Sequence, residues 1–156
     1  MAVSAILFTQ EQARTLSRVS AGDLRHWRKS VPYLAEKPGK SARFTFADIL
    51  GLAITRDVIG AFGVHITAIG KGIDMLFRLL ADARPSQLPV LLVLVGADYA
   101  ALQSAEDLAG RKLGRPALIV PCDRLIAGIR DQMIPFASPS DQAPLPFPPQ
   151  VVKGGA

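Results

Sequence analysis

Four side chains that carry or can acquire positive charge, Arg25, His26, Arg28 and Lys29, flank the single tryptophan, Trp27, within five consecutive residues. Arginine can bond bidentately to a guanine edge, lysine acts as a point charge, and histidine adds a ring that titrates near neutral pH. Such a set suits a polyanion better than a reacting centre. The remaining sequence offers little for catalysis: His26 and His65 stand far apart, and no partner spacing suggests a metal site or a nucleophile beside a base. "GAFGVHITAIGKG" fails as a phosphate loop because Gly63 and Gly70 are too widely separated and no apolar strand precedes them. Asp98, Glu106 and Asp107 read as loop and helix-start acids. Cys122, the only cysteine, can form no intrachain disulfide and reads as a helix-start or core thiol. The chain is expected not to be an enzyme and to need no cofactor or metal.

The net charge of +5 is unevenly placed. From Met1 to Phe46 eight Lys/Arg stand against three Asp/Glu, whereas from Ala47 to Ala156 there are ten of each, so the whole excess lies in the first third. A segment of this kind is expected to meet a polyanion. At 156 residues and 49% apolar side chains the chain can bury a core and is too short for an elaborate enzyme. Its longest apolar run, Pro89 to Val95, falls well short of the roughly 20 residues that cross a bilayer. "MAVSAILF" lacks the basic start and apolar length of a signal peptide, so no membrane partner is expected and the cytoplasm is the expected compartment.

The basic residues must be positioned by helices. Thr9 with Gln12 has the spacing of a capping box and predicts a helix from about Gln10, with Ala13 and Leu16 facing inward. After the tight turn "SRVS", Ser20 with Asp23 predicts a second start. That helix runs to about Ser30, with Leu24 and Trp27 on one face and the cations on the others. Two short helices joined in this way, the second basic, form a helix-turn-helix pattern. Beyond Pro32, Tyr33 to Glu36 and Ala42 to Phe44 read as two strands around "KPGKS", a basic hairpin placed like a wing. Thr45 with Asp48 opens a third helix to about Ala61. "VHITAIGKGIDMLFRLLADA" supplies a fourth, with Gly70 and Gly72 weakening its first half.

Pro85 to Pro89 mark a linker, after which the pattern changes to two strands meeting at Gly96-Ala97, a capped helix from Ser104, a strand in "RPALIVP" and a helix in "CDRLIAGIRDQM". Six of the twelve prolines then fall between Pro135 and Pro149. The expected fold class is therefore α+β. A winged helix-turn-helix DNA-binding domain spans residues 1–84, a ββαβα dimerisation or partner-docking region residues 85–134, and an extended Pro-rich tail residues 135–156.

The segment from Phe8 to Ile69 resembles the DNA-binding domain of the MerR family of regulators. The matching residues are "FTQEQARTLSRVSAGDLRHW" and "RFTFADILGL", which join a capped helix, a turn, a Leu-Arg pair followed by aromatic positions, and an Arg-aromatic-Thr entry to the next helix in the family's order. The resemblance implies that Arg25 takes the recognition-helix arginine's place, His26 that of an aromatic near the DNA backbone, Trp27 that of a partly buried aromatic, and Arg43 that of the wing arginine. Arg28 stands where the family commonly has an acid, "SVPYL" replaces its usual exit, and its long coiled-coil dimerisation helix and metal-sensing cysteines are missing. The resemblance therefore extends to a DNA-binding domain and not to metal sensing or promoter untwisting.

Double-stranded DNA is the expected partner. Arg25, Arg28 and Lys29 would read bases and hold phosphates from the major groove, with Arg18, Ser20 and His26 beside them. Lys37, Lys40 and Arg43 would contact phosphates from the wing or enter the minor groove. The expected function is sequence-specific transcriptional regulation by a homodimer joined through the C-terminal region. The alternative is an antitoxin or adaptor whose C-terminal half binds a protein partner while the N-terminal half autoregulates its operon.

Overall fold

Short polar side chains set the helix starts. The structure, a computed structural model, describes residues 6–133. Within them Thr9 caps α1 (Gln10–Ser17), Ser20 caps α2 (Ala21–Trp27), and Thr45 caps α4 (Phe46–Phe62). Thr9 and Thr45 form full capping boxes, with Gln12 and Asp48 bonding back to the cap nitrogens at 2.9 Å each. Between α2 and α4 lie α3 (Pro32–Ala35) and the strand β2 (Arg43–Phe44), which pairs antiparallel with β1 (Phe8–Thr9).

The expected hairpin wing is corrected by this arrangement. Tyr33 to Glu36 is not a strand, because Pro32 occupies the first turn of α3 and its fixed φ favours a helix start there. Long-range contacts hold the turn: Tyr33 N donates to Asp74 Oδ1 at 2.7 Å, its ring stacks on Phe77 with centroids 5.2 Å apart, and Leu34 is fully buried. Left without that partner, Arg43 and Phe44 pair instead with the strand ahead of α1, in the register Phe8 to Phe44.

The first half of α4 is buried all round, from Asp48 to Thr55, so it forms the centre of the helical layer. It packs on α1 and on α5 (Ile66–Asp82), whose apolar face carries Ile69, Ile73, Leu76, Phe77 and Leu80. Gly51 leaves the space that the Phe77 ring fills. A short 3-10 turn (Leu88–Val90) leads into β3 (Leu91–Val95) and β4 (Ala100–Ser104), then α6 (Ala105–Ala109), β5 (Leu118–Pro121) and α7 (Cys122–Met133).

These three strands form an antiparallel sheet in the order β4-β3-β5, in which Val93 lies opposite both Leu102 and Val120. Alternation then assigns the faces. Leu91, Val93, Val95, Leu102, Leu118 and Val120 join the buried cluster against the helices, while Leu94, Ala101, Gln103 and Ile119 line the opposite face. α5 packs on the sheet and α7 on α4 and α1, so one cluster runs unbroken from Phe8 to Ile129 across the Pro85–Pro89 connection. The fold is mixed α+β, with seven α-helices and two small antiparallel sheets among the described residues. None of the described helices is long and apolar enough to cross a membrane. The Pro-rich stretch lies outside the described residues.

Candidate nucleic-acid interface

α2 presents its basic residues because its apolar ones are fixed inward. Leu24 and Trp27 are 1% and 4% exposed and anchor the helix, which leaves Arg25, His26 and, one turn on, Lys29 at the surface. Arg25 lies within α2 and Lys29 in the turn that follows it, where Lys29 N bonds to His26 O at 3.1 Å. Asp23, the one acid in α2, accepts a bond from Ser20 Oγ at 2.7 Å.

The turn ahead of α2 is built on Arg18. This residue closes α1 at φ 57°, the one non-glycine left-handed residue among those described, with its N–H directed at the Arg14 and Thr15 carbonyls. Glycine or asparagine meets this conformation at lower cost. The Arg18 side chain is exposed.

Ser20 is occupied as a cap. Its hydroxyl accepts from Asp23 N at 3.0 Å and donates to Asp23 Oδ2, so both functions of the oxygen are internal. Arg28 also turns inward. Its Nη2 donates to Gln10 Oε1 at 2.6 Å and to Lys37 O at 2.8 Å, tying the end of α2 to the start of α1 and to the loop after α3. Burial lowers its pKa from the ordinary arginine value, and its Nε has no hydrogen-bond partner among the described residues.

Lys37 is drawn in as well. Its Nζ donates to Arg43 O at 3.0 Å, sits 3.3 Å from Asp48 Oδ2, and lies 5.7 Å from the centroids of both the Tyr33 and Phe44 rings. Asp48 additionally receives a 2.6 Å bond from Tyr33 Oη, and burial followed by that bond raises the tyrosine pKa. Arg43 is exposed but curls over its own loop, with Nη1 3.1–3.4 Å from the carbonyls of Lys40, Ser41 and Ala42. Lys40 is exposed, and its side chain makes no hydrogen bond or ion pair among the described residues.

The nine residues singled out from the sequence therefore separate by environment. Arg18, Arg25, His26, Lys29 and Lys40 are exposed with no carboxylate partner among the described residues, whereas Ser20, Arg28, Lys37 and, in part, Arg43 serve the fold. Sequence reasoning missed Asp48 as the group that captures Lys37. Its signal was an acid at the third position of a capped helix whose next six residues, Ile49 to Ile54, carry no polar side chain. Comparison with protein-family models, curated proteins and solved structures gave no match. The likeness to MerR regulators thus rests on the motif residues alone.

Cys122 is fully buried, and burial, with Asp123 adding to it, pushes its thiol up to about 11. At neutral pH it is a protonated core thiol without nucleophilic character.

Proposed function

We propose that the chain is a sequence-specific DNA-binding transcriptional regulator that acts as a homodimer. The observation that carries this reading is the set of exposed cations Arg18, Arg25 and Lys29 around a helix whose apolar side is anchored by Leu24 and Trp27, with no acid pairing them among the described residues. In this account α1, the Arg18 turn and α2 are the helix-turn-helix, α2 enters the major groove, and the loop carrying Lys40 and Arg43 acts as a reduced wing against the adjacent backbone. Arg25 is the base reader, while Lys29, Lys40 and Arg18 hold phosphates.

Arg18 gives independent support. A left-handed arginine retained where glycine is less strained suits a turn whose side chain has a task at the surface. The homodimer follows from area, since one small module buries only about 600–1,000 Å² on DNA and useful specificity needs two half-sites. In the C-terminal region Val90 and Ile119, exposed at 71% and 42%, offer apolar surface for that contact.

Affinity selection from a random duplex pool with the full-length protein near physiological salt tests the reading. Enrichment of an inverted repeat is expected. Binding without a motif would move the protein to an architectural class, and no binding at all would overturn the DNA reading in favour of the antitoxin or adaptor alternative.

A further inference from the structure

Over β3 and β4 the sheet face turned away from the helices is neither open surface nor core, whereas Ile119 on β5 is exposed. Leu94 is 1% exposed although it lies outside the main buried cluster, because the loop after α6, "RKLGR" from Arg111 to Arg115, arches over it. Between loop and sheet lies a cleft of about 360 Å³, within the size range of small-molecule sites. Leu94, Ala101 and Leu113 give it apolar walls, and Arg111 and Lys112 stand on its rim.

Gln103 gives this cleft a chemical direction. It is 8% exposed, it lines the cleft, and its Oε1 is buried without a hydrogen-bond partner among the described residues. A buried amide oxygen that follows three apolar residues in the strand "AALQS" is costly for folding and is an acceptor for whatever enters. The charges are equally specific. Arg115 lies over the Tyr99 ring at 5.5 Å and pairs with Asp98 at 3.4 Å, but neither Arg111 nor Lys112 pairs with any carboxylate among the described residues.

We infer that this cleft between the outer sheet face and the Arg111–Arg115 loop binds a small organic anion, one with an apolar body and an O–H or N–H donor. The carboxylate or phosphate meets Arg111 and Lys112, the body lies on Leu94 and Leu113, and the donor satisfies Gln103 Oε1. Tyr99 ties the site to the rest of the fold. Its hydroxyl bonds the Arg115 and Pro116 carbonyls at 3.3 Å, and its own carbonyl accepts from Gly96 N in the turn that packs on α5 through Gly72 N and Ala97 O. This inference stands apart from the DNA reading.

The test is a titration of the full-length protein, without DNA, by amide chemical-shift mapping. The probes are 4-hydroxybenzoate for a carboxylate source and adenosine monophosphate for a phosphate source, with phenol and benzoate as controls that each lack one group. Saturable shifts at Tyr99, Gln103 and Arg111–Arg115 are expected for at least one probe. For 4-hydroxybenzoate, removing either polar group should weaken binding about tenfold. Gln103→Met should raise the melting temperature of the free protein while abolishing the preference for 4-hydroxybenzoate over benzoate. The paired change R111A/K112A, at exposed positions that do not threaten folding, should abolish the preference for 4-hydroxybenzoate over phenol. Failure of both probes to shift these residues, or shifts that survive R111A/K112A unchanged, would overturn the inference.

Discussion

The Nζ of Lys37 lies 3.3 Å from Oδ2 of Asp48, a carboxylate only 1% exposed at the start of the central helix. Removing Asp48 strands a partly covered ammonium and the Tyr33 hydroxyl, so Asp48→Ala is expected to cost about 3–5 kcal/mol. Lys37→Met keeps the stem and leaves Asp48 its Tyr33 and Thr45 donors, at about 1–3 kcal/mol. Chemical denaturation measures both. Lys37→Met should leave the salt dependence of DNA binding unchanged, and a slope reduced by about one would restore the phosphate role read from the sequence.

Arg25 and Arg28 are three residues apart and are expected to report opposite properties. Arg25→Ala removes an exposed side chain, so stability should hold within about 0.5 kcal/mol. Specific DNA affinity should fall by about 1–3 kcal/mol, with relaxed preference at one base position. Arg28→Ala deletes the bonds to Gln10 and Lys37 O and should cost about 1.5–3 kcal/mol of stability. Melting curves beside binding isotherms separate them; a stable Arg28→Ala protein with selectively weakened DNA binding would contradict the inward assignment.

Alkaline stability follows from Cys122 and Tyr33. The folded thiol is pushed up to about 11 from 9.0, so the folded state holds its proton more tightly than the unfolded chain. Below pH 9 that contribution is fully present; as pH climbs to 11 it is lost, by about 2–3 kcal/mol for this gap. Tyr33, also raised, from 10.0, adds to the loss above pH 10. Cys122→Ala should flatten the fall in stability between pH 9 and 11 relative to the parent, as urea midpoints across that range would show. An unchanged slope would mean the thiol is not held protonated.

How far the sequence carried is decided by the reach of each contact. The caps at Thr9, Ser20, Thr45 and Ser104 act across three residues, and the starts of α1, α2, α4 and α6 were legible from them. α3 was not: Pro32 suits a helix start, but Tyr33 and Leu34 also read as a strand, and the contacts that hold the turn, to Asp74, 41 residues on, and to Phe77, are remote along the chain. Arg28 and Lys37 looked like free cations for the same reason, their partners Gln10 and Asp48 being remote along the chain. Gln103 passed as an ordinary strand residue. Its meaning depends on the loop that folds over it.

Two helical glycines should respond in opposite directions to alanine. A Cβ on Gly72 would run into the Gly96 carbonyl, forcing α5 away from the turn it bonds through Gly72 N and Ala97 O. Gly72→Ala is expected to cost about 1–3 kcal/mol. Gly60 sits in α4 with nothing within 4 Å of such a carbon, and Gly60→Ala should stabilise by about 0.5–1 kcal/mol through helix propensity. Denaturation midpoints of the pair check the packing of α5 on the sheet.

Arg18 offers the sharpest separation of fold from function. At φ 57° its backbone carries a cost of about 1 kcal/mol that glycine does not. Arg18→Gly should therefore relieve strain and gain up to about 1 kcal/mol of stability, less the entropy of a freer unfolded chain. If Arg18 holds a phosphate at the turn, the same change should weaken binding to every duplex alike and lower the salt slope by about one. Arg18→Asn, which tolerates the left-handed conformation, should behave the same way on DNA. A more stable variant with undiminished affinity and slope would remove Arg18 from the interface and leave its strain without a function.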